Sequence, residues 1–148
     1  MKKIYAILAL ALISFWNAIY LTFAAYNLQS QLQNESEVTE FFCDVSDVFS
    51  CSNLFLQDFA WMFGIPFSAI AMLVYPIIFI LAFIGMSSKN KNYFKAIWIM
   101  AIWWMMFNGY IIFHELMIPI ICLACLACSI AIATIAMLSY RITKDPQI

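Results

Sequence analysis

Long apolar runs, broken at a few charged places, organise this chain. Between Lys3 and Glu35 lie 31 residues without a Lys, Arg, Asp or Glu; Asp58 to Lys89 encloses 30, Lys95 to Glu115 encloses 19, and Glu115 to Arg141 encloses 25. A helix needs about 20 apolar residues to cross a hydrocarbon core of roughly 30 Å, and a Lys, Arg or Asp at its centre costs about 2.5–3.5 kcal/mol. Each gap therefore predicts one membrane helix, with expected spans at 4–26, 64–85, 96–113 and 117–140. The expected fold is all-α: a single membrane domain over 1–148, built as a four-helix bundle with a long first connection at 27–63.

Within that connection, residues 27–34 are polar and Gln-rich and residues 35–40 acidic, which predicts a solvated loop. From Leu54 to Phe63 the chain turns apolar again, with Phe55, Phe59, Trp61 and Phe63. Ten residues are too few to span, so this stretch predicts a short half-helix at the interface, acting as a lid or as an aromatic anchor.

Composition agrees: 66% of the residues are hydrophobic and 10% charged, against about 45–50% and 25% in soluble domains. A net charge of −1 removes any electrostatic case for nucleic-acid binding. The placement of charge is more informative. All seven basic residues (Lys2, Lys3, Lys89, Lys91, Lys95, Arg141 and Lys144) fall at the N-terminus, between spans two and three, or after span four. The positive-inside rule then places both termini in the cytoplasm and the 27–63 connection outside. A cleaved signal peptide is the competing reading of the N-terminus. The apolar run of about 23 residues exceeds the 7–15 of a signal h-region, so a retained first span is expected.

Five cysteines carry the candidate chemistry: Cys43 and Cys51 in the outer loop, and Cys122, Cys125 and Cys128 in span four. Seven residues between Cys43 and Cys51 make a loop that a disulfide closes easily in an oxidising exterior, and a purely structural bond there needs no further function. Cys122 and Cys125 form a Cys-x-x-Cys, the spacing of dithiol redox centres, and Cys125 with Cys128 repeats it. Helical residues three apart have Cβ atoms about 5–6 Å apart, so either bond needs modest distortion. Counted at about 1.5 Å per residue from Glu115, Cys122 is shallowest, and Pro119 suits a first helical turn that would put Cys122 near the positive end of the helix dipole. Both arguments favour Cys122 with Cys125, leaving Cys125 with Cys128 as the alternative pair. A structural zinc site wants four Cys or His ligands and the chain has one histidine, His114, so no metal is expected. His114 reads as a hydrogen-bonding residue at the interface, or as a proton relay. Asn17 and Asn108 read as interhelical hydrogen-bonding residues, and Trp103 to Met106 as bundle or lipid-facing side chains.

The run from Cys43 through Asp44 to Ser50, Cys51, Ser52 and Phe55 resembles the loop signature of the vitamin K epoxide reductase family. Gly64, Ile65, Pro66, Phe67 and Ser68 resemble the start of that family's second helix in bacterial members, and the Cys-x-x-Cys in the last helix resembles its redox centre. Two departures stand out. Ala71 replaces a usual Gly, and the Cys-x-x-Cys is doubled, with Cys128 where a Ser or Thr is common.

This resemblance implies an enzyme of the bacterial cytoplasmic membrane, a quinone-dependent thiol oxidoreductase supporting disulfide formation. Cys43 and Cys51 would shuttle electrons from a separate thioredoxin-like protein outside; Cys122 would receive them, and Cys125 would face a quinone of the ubiquinone, menaquinone or vitamin K type. Phe55 and Ser68 would line the quinone pocket. With about eight residues after the last span, no thioredoxin-like domain is expected in the chain itself. A DsbB-like reductase would carry a cysteine pair in the second outer connection, which here has none. The alternative is a non-catalytic four-helix membrane subunit stapled by a loop disulfide.

Overall fold

The computed structural model describes residues 1–34 and 42–145; the acidic stretch at 35–40 lies outside the described residues. The elements run α1 (Lys2–Gln33), α2 (Cys51–Phe55), a 3₁₀ turn (Asp58–Ala60), a two-residue hairpin of β1 (Trp61–Met62) and β2 (Ile65–Pro66), α3 (Phe67–Ser88), α4 (Lys91–Met117) and α5 (Leu123–Lys144). Four helices are long and apolar enough to cross a membrane. They form an all-α bundle in which α1 packs on α3 and α5, and α4 on α3 and α5, so neighbours close a ring.

Each long helix buries a stripe at intervals of three and four residues, the spacing that keeps side chains on one face. In α1 the stripe runs Ile4, Ile7, Ala11, Ser14, Ala18, Leu21, Ala25 and Leu28, with an alanine every seventh position that lets neighbours approach closely. In α4 it runs Phe94, Ile97, Ala101, Trp104, Asn108, Ile111 and Glu115. The opposite faces are apolar too: Trp16, Phe23, Leu73, Trp103 and Met106 point outward and are exposed. In water such a surface would drive aggregation, whereas in lipid it is the solvent-facing side.

The basic residues gather at one end of the bundle. There Lys3 Nζ pairs with Asp145 Oδ2 at 3.0 Å, and Lys91 donates to the Asp145 carbonyl. The tight α3–α4 turn uses Lys89 in the left-handed conformation and Asn90 as an N-cap accepting from Asn92 N–H. Gly85 is required beside it, since a Cβ there would lie 2.9 Å from Phe94 Cε2.

Three expectations are corrected. The polar stretch 27–34 is not loop: α1 continues to Gln33, because Leu28 extends the buried stripe by one more turn and the Gln residues are good helix formers. The half-helix expected over Leu54 to Phe63 is instead α2, a 3₁₀ turn and a hairpin. Ser50 Oγ caps α2 by accepting from Asn53 N–H at 3.2 Å, and Phe63 and Gly64 both take positive φ, the requirement of a two-residue hairpin loop. Span four does not begin at Met117, which ends α4; residues 118–122 form a non-helical connection and α5 starts at Leu123. Pro119 therefore lies ahead of the helix rather than in its first turn, and depth cannot be counted from Glu115 at a helical rise.

Candidate active site

At the end of the bundle opposite the basic residues, the 42–66 segment folds down onto the helix ends. Its anchor is a second apolar cluster in which Cys43, Cys51, Leu54, Phe55 and Ala60 pack with Leu21, Ala25 and Leu28 of α1, Phe67, Ile111, Cys122 and Cys125. Asp44 shapes the loop: its Oδ1 accepts from Ser50 Oγ and from Ser52 N–H, both at 3.0 Å. The loop is also stitched to the chain entering α5, where Ile121 N–H donates to the Val48 carbonyl at 2.7 Å.

These contacts bring the cysteines together. Cys43 and Cys51 are joined by a disulfide, while Cys122, Cys125 and Cys128 are free and buried. Cys51 Sγ lies 2.8 Å from Cys122 Sγ, and the sulfurs of Cys43, Cys51 and Cys122 all lie within 4.8 Å of one another. Three sulfurs this close could hold a thiophilic metal only with the disulfide open, since a disulfide offers no thiolate. Cys122 is the N-cap of α5, and its Sγ accepts from Cys125 N–H at 3.4 Å. The arrangement can pass a disulfide between pairs, because exchange needs one sulfur to reach another along a short path.

One layer deeper a small, mainly apolar cavity opens between the helices. Ser68, Ala71 and Tyr75 of α3, Trp104 and Asn108 of α4, and Cys125 and Cys128 of α5 line it. Ser68 stands on this wall, with Thr22 Oγ1 of α1 hydrogen bonded to it at 3.0 Å. Phe55 does not: it stacks on Phe67, ring centroids 5.4 Å apart, and Phe67 is the ring that reaches the cavity.

Asn17 reaches across from α1 to α5, donating to the Ala124 carbonyl at 3.1 Å and to Cys128 Sγ at 2.9 Å. Asn108 Oδ1 accepts from Ser129 Oγ at 3.3 Å and joins α4 to α5. His114 is partly buried away from the cavity, its Nδ1 at the Tyr110 carbonyl and its ring against Phe59.

Two buried groups escape sequence reasoning. Glu115 is 2% exposed; its carboxyl faces the Cys122 backbone N–H, and its Oε1 has no partner among the described residues. Trp104 is buried on the cavity wall, where its indole N–H faces the Tyr75 hydroxyl without a hydrogen bond of full geometry. Their positions on the buried stripe of α4, in step with Ala101, Asn108 and Ile111, were the available signal.

Comparison with known proteins is consistent with this geometry. No curated protein matches the chain. A family model, Vitamin K epoxide reductase family, matches residues 5–140, nearly the whole length and every cysteine. A disulfide lying against a thiol of a second pair, held by four membrane-spanning helices, suits the redox chemistry of that group. The chain belongs to the vitamin K epoxide reductase family of membrane oxidoreductases.

Proposed function

We propose that this protein oxidises an exported thioredoxin-like protein and passes the electrons through Cys43 and Cys51, then Cys122 and Cys125, to a quinone, so supporting disulfide formation. The observation that carries the reading is the 2.8 Å approach of Cys51 Sγ to Cys122 Sγ. On this reading residues 1–148 act as a single membrane domain in the bacterial cytoplasmic membrane. The basic residues at one end support cytoplasmic termini and an outer active-site loop.

The partner, a separate chain, attacks Cys43, which is 7% exposed against 0% for Cys51, forming a partner–Cys43 mixed disulfide and freeing Cys51. The partner's second thiol then closes its own disulfide and releases Cys43 as a thiolate. The freed Cys51 thiolate then attacks Cys122 of a Cys122–Cys125 disulfide; that bond breaks and Cys125 leaves with its electron pair. Cys43 next attacks Cys51 and releases Cys122. The outcome is a closed loop pair and two thiols on α5, the arrangement described above.

The cavity's lining suits a quinone by its chemistry, with aromatic walls, neighbouring thiols and an indole N–H on Trp104 that a carbonyl oxygen could take from Tyr75. At about 10 Å³ the cavity holds little more than a water, so the helices must part to admit the quinone. Bound there, it would supply a two-electron, two-proton acceptor for the α5 thiols. Ser68 and Phe67 would form its walls, with Phe55 backing Phe67, and Cys125 would be the sulfur nearest it.

Thiol trapping of the full chain in nanodiscs tests this. Adding ubiquinone-1 or menadione should protect Cys122 and Cys125 from alkylation, and adding a reduced thioredoxin-fold protein should restore it. Alkylation unchanged by either addition would leave a non-catalytic membrane protein with a structural loop disulfide.

A further inference from the structure

The doubled Cys-x-x-Cys leaves one thiol without a role in that scheme. Cys128 lines the same cavity as Cys125, whereas Cys122 stands one layer out, against Cys51. The sulfur that meets the loop and the sulfur deepest in the cavity are thus different, and Cys125 lies between them with the same three-residue spacing to each. A lone buried cysteine would pack as a small hydrophobe. Cys128 instead receives a directed hydrogen bond, Asn17 Nδ2 to Sγ at 2.9 Å.

The backbone around the pair has support for distortion. Closing a bond between residues three apart on a helix means drawing Cβ atoms from about 5–6 Å to about 3.8 Å, which stretches nearby i to i−4 hydrogen bonds. In a helix the Cys128 N–H pairs with the Ala124 carbonyl. That carbonyl has a second donor in Asn17 Nδ2, and the Cys128 carbonyl has one in Tyr75 Oη at 3.4 Å. Neither oxygen is orphaned if the helix loosens, which removes the main cost of bending there.

We propose that Cys128 is the thiol that closes on Cys125 when electrons leave for the quinone, so that the disulfide forms first at Cys125–Cys128 and then migrates outward to Cys122–Cys125. The proposal rests on the quinone reading above. In the first step the two thiols and one quinone give one disulfide and one hydroquinone: a sulfur–sulfur bond forms, two S–H bonds break, and two electrons and two protons end on the quinone oxygens. In the second step the Cys122 thiolate attacks Cys125. The Cys122–Cys125 bond forms, the Cys125–Cys128 bond breaks, and Cys128 leaves as a thiolate that takes the proton Cys122 released. No electrons are gained or lost in this step. Asn17 stabilises the leaving sulfur, since hydrogen bonds to an ionised acceptor are the stronger ones.

The test uses the full-length Cys122→Ser chain in nanodiscs, which keeps Cys128 and the loop disulfide. Ubiquinone-1 or menadione should convert two alkylatable thiols to none by intact mass, forming about one hydroquinone per chain. Diamide, a thiol oxidant, should close the same bond without quinone. Persistence of both thiols under excess quinone and diamide would overturn the proposal. In the otherwise native chain, Cys128→Ala should slow turnover about tenfold or more. Turnover at the native rate by Cys128→Ala, with Cys125→Ala inactive, would discard the migrating disulfide and keep the proposed function. Native turnover by both variants would discard the proposed function as well.

Discussion

Cys51 Sγ and Cys122 Sγ, 71 residues apart in sequence, lie 2.8 Å apart in the folded chain. This contact joins a disulfide near the bundle end to a thiol at the cap of a membrane helix, and it predicts a trappable intermediate. With Cys43→Ser and Cys125→Ser combined, neither resolving sulfur remains. A Cys51–Cys122 disulfide should then accumulate under mild oxidation as the dominant linked species in non-reducing mass spectrometry. Absence of that species, with both thiols alkylatable, would contradict the relay.

Asp44 holds the loop through Ser50 Oγ and Ser52 N–H. Asp44→Ala leaves both donors without that acceptor, a loss of about 1–3 kcal/mol for groups kept from water. Hydrogen exchange over 44–52 should quicken and transfer from the loop to Cys122 should slow. Asp44→Asn keeps the Oδ1 acceptor and should recover most of both. Equal effects of Ala and Asn would point to charge rather than to the hydrogen bonds.

Glu115 presents its carboxyl to the Cys122 backbone N–H while nearly excluded from solvent. Glu115→Gln retains an acceptor for that amide and should unfold within a few degrees of the native chain. Glu115→Leu removes the acceptor and should destabilise by about 1–3 kcal/mol, loosening the start of α5. Thermal unfolding in detergent, read with the alkylation rate of Cys122, separates the two variants. A faster alkylation is expected only for Leu.

Trp104 Nε1 is a buried donor that faces the Tyr75 hydroxyl without a hydrogen bond of full geometry, on the wall of the cavity that holds Cys125. Trp104→Phe keeps the aromatic wall and removes the donor. A net hydrogen bond of about 1 kcal/mol corresponds to roughly a fivefold rise in quinone KM. An unchanged KM for ubiquinone-1 would place the quinone carbonyl elsewhere.

Gly85 has no room for a side chain against Phe94. Gly85→Val should separate α3 from α4 near their turn and cost about 1–3 kcal/mol through overpacking, measured as a lower unfolding temperature. Gly109, with nothing within 4 Å of an added Cβ, should accept alanine without loss and serves as the control.

Sequence reading reached furthest where the physics is local. Four charge-free runs identify four helices because the cost of burying charge in lipid adds up residue by residue. The short spacing of Cys43 and Cys51 identifies the loop disulfide without reference to anything distant, while the repeated spacing on the helix leaves its pairing open. It failed at helix ends. The polar residues after Tyr26 look like loop until Leu28 is seen against Cys51, Leu54 and Phe55, and α5 begins at Leu123 because the Cys122 sulfur caps it. Hydropathy carries no mark of either, since both depend on what another segment brings.

The sequence by itself therefore determined a four-span membrane chain, its end-to-end asymmetry of basic charge and its inventory of thiols. Only the tertiary structure decided which sulfurs meet. The Val48–Ile121 backbone bond lowers the loop onto α5, and the Asn17 bond ties Cys128 to α1. Such juxtapositions arise from how side chains of remote segments pack, and packing is a property of the assembled bundle that no single window of residues contains.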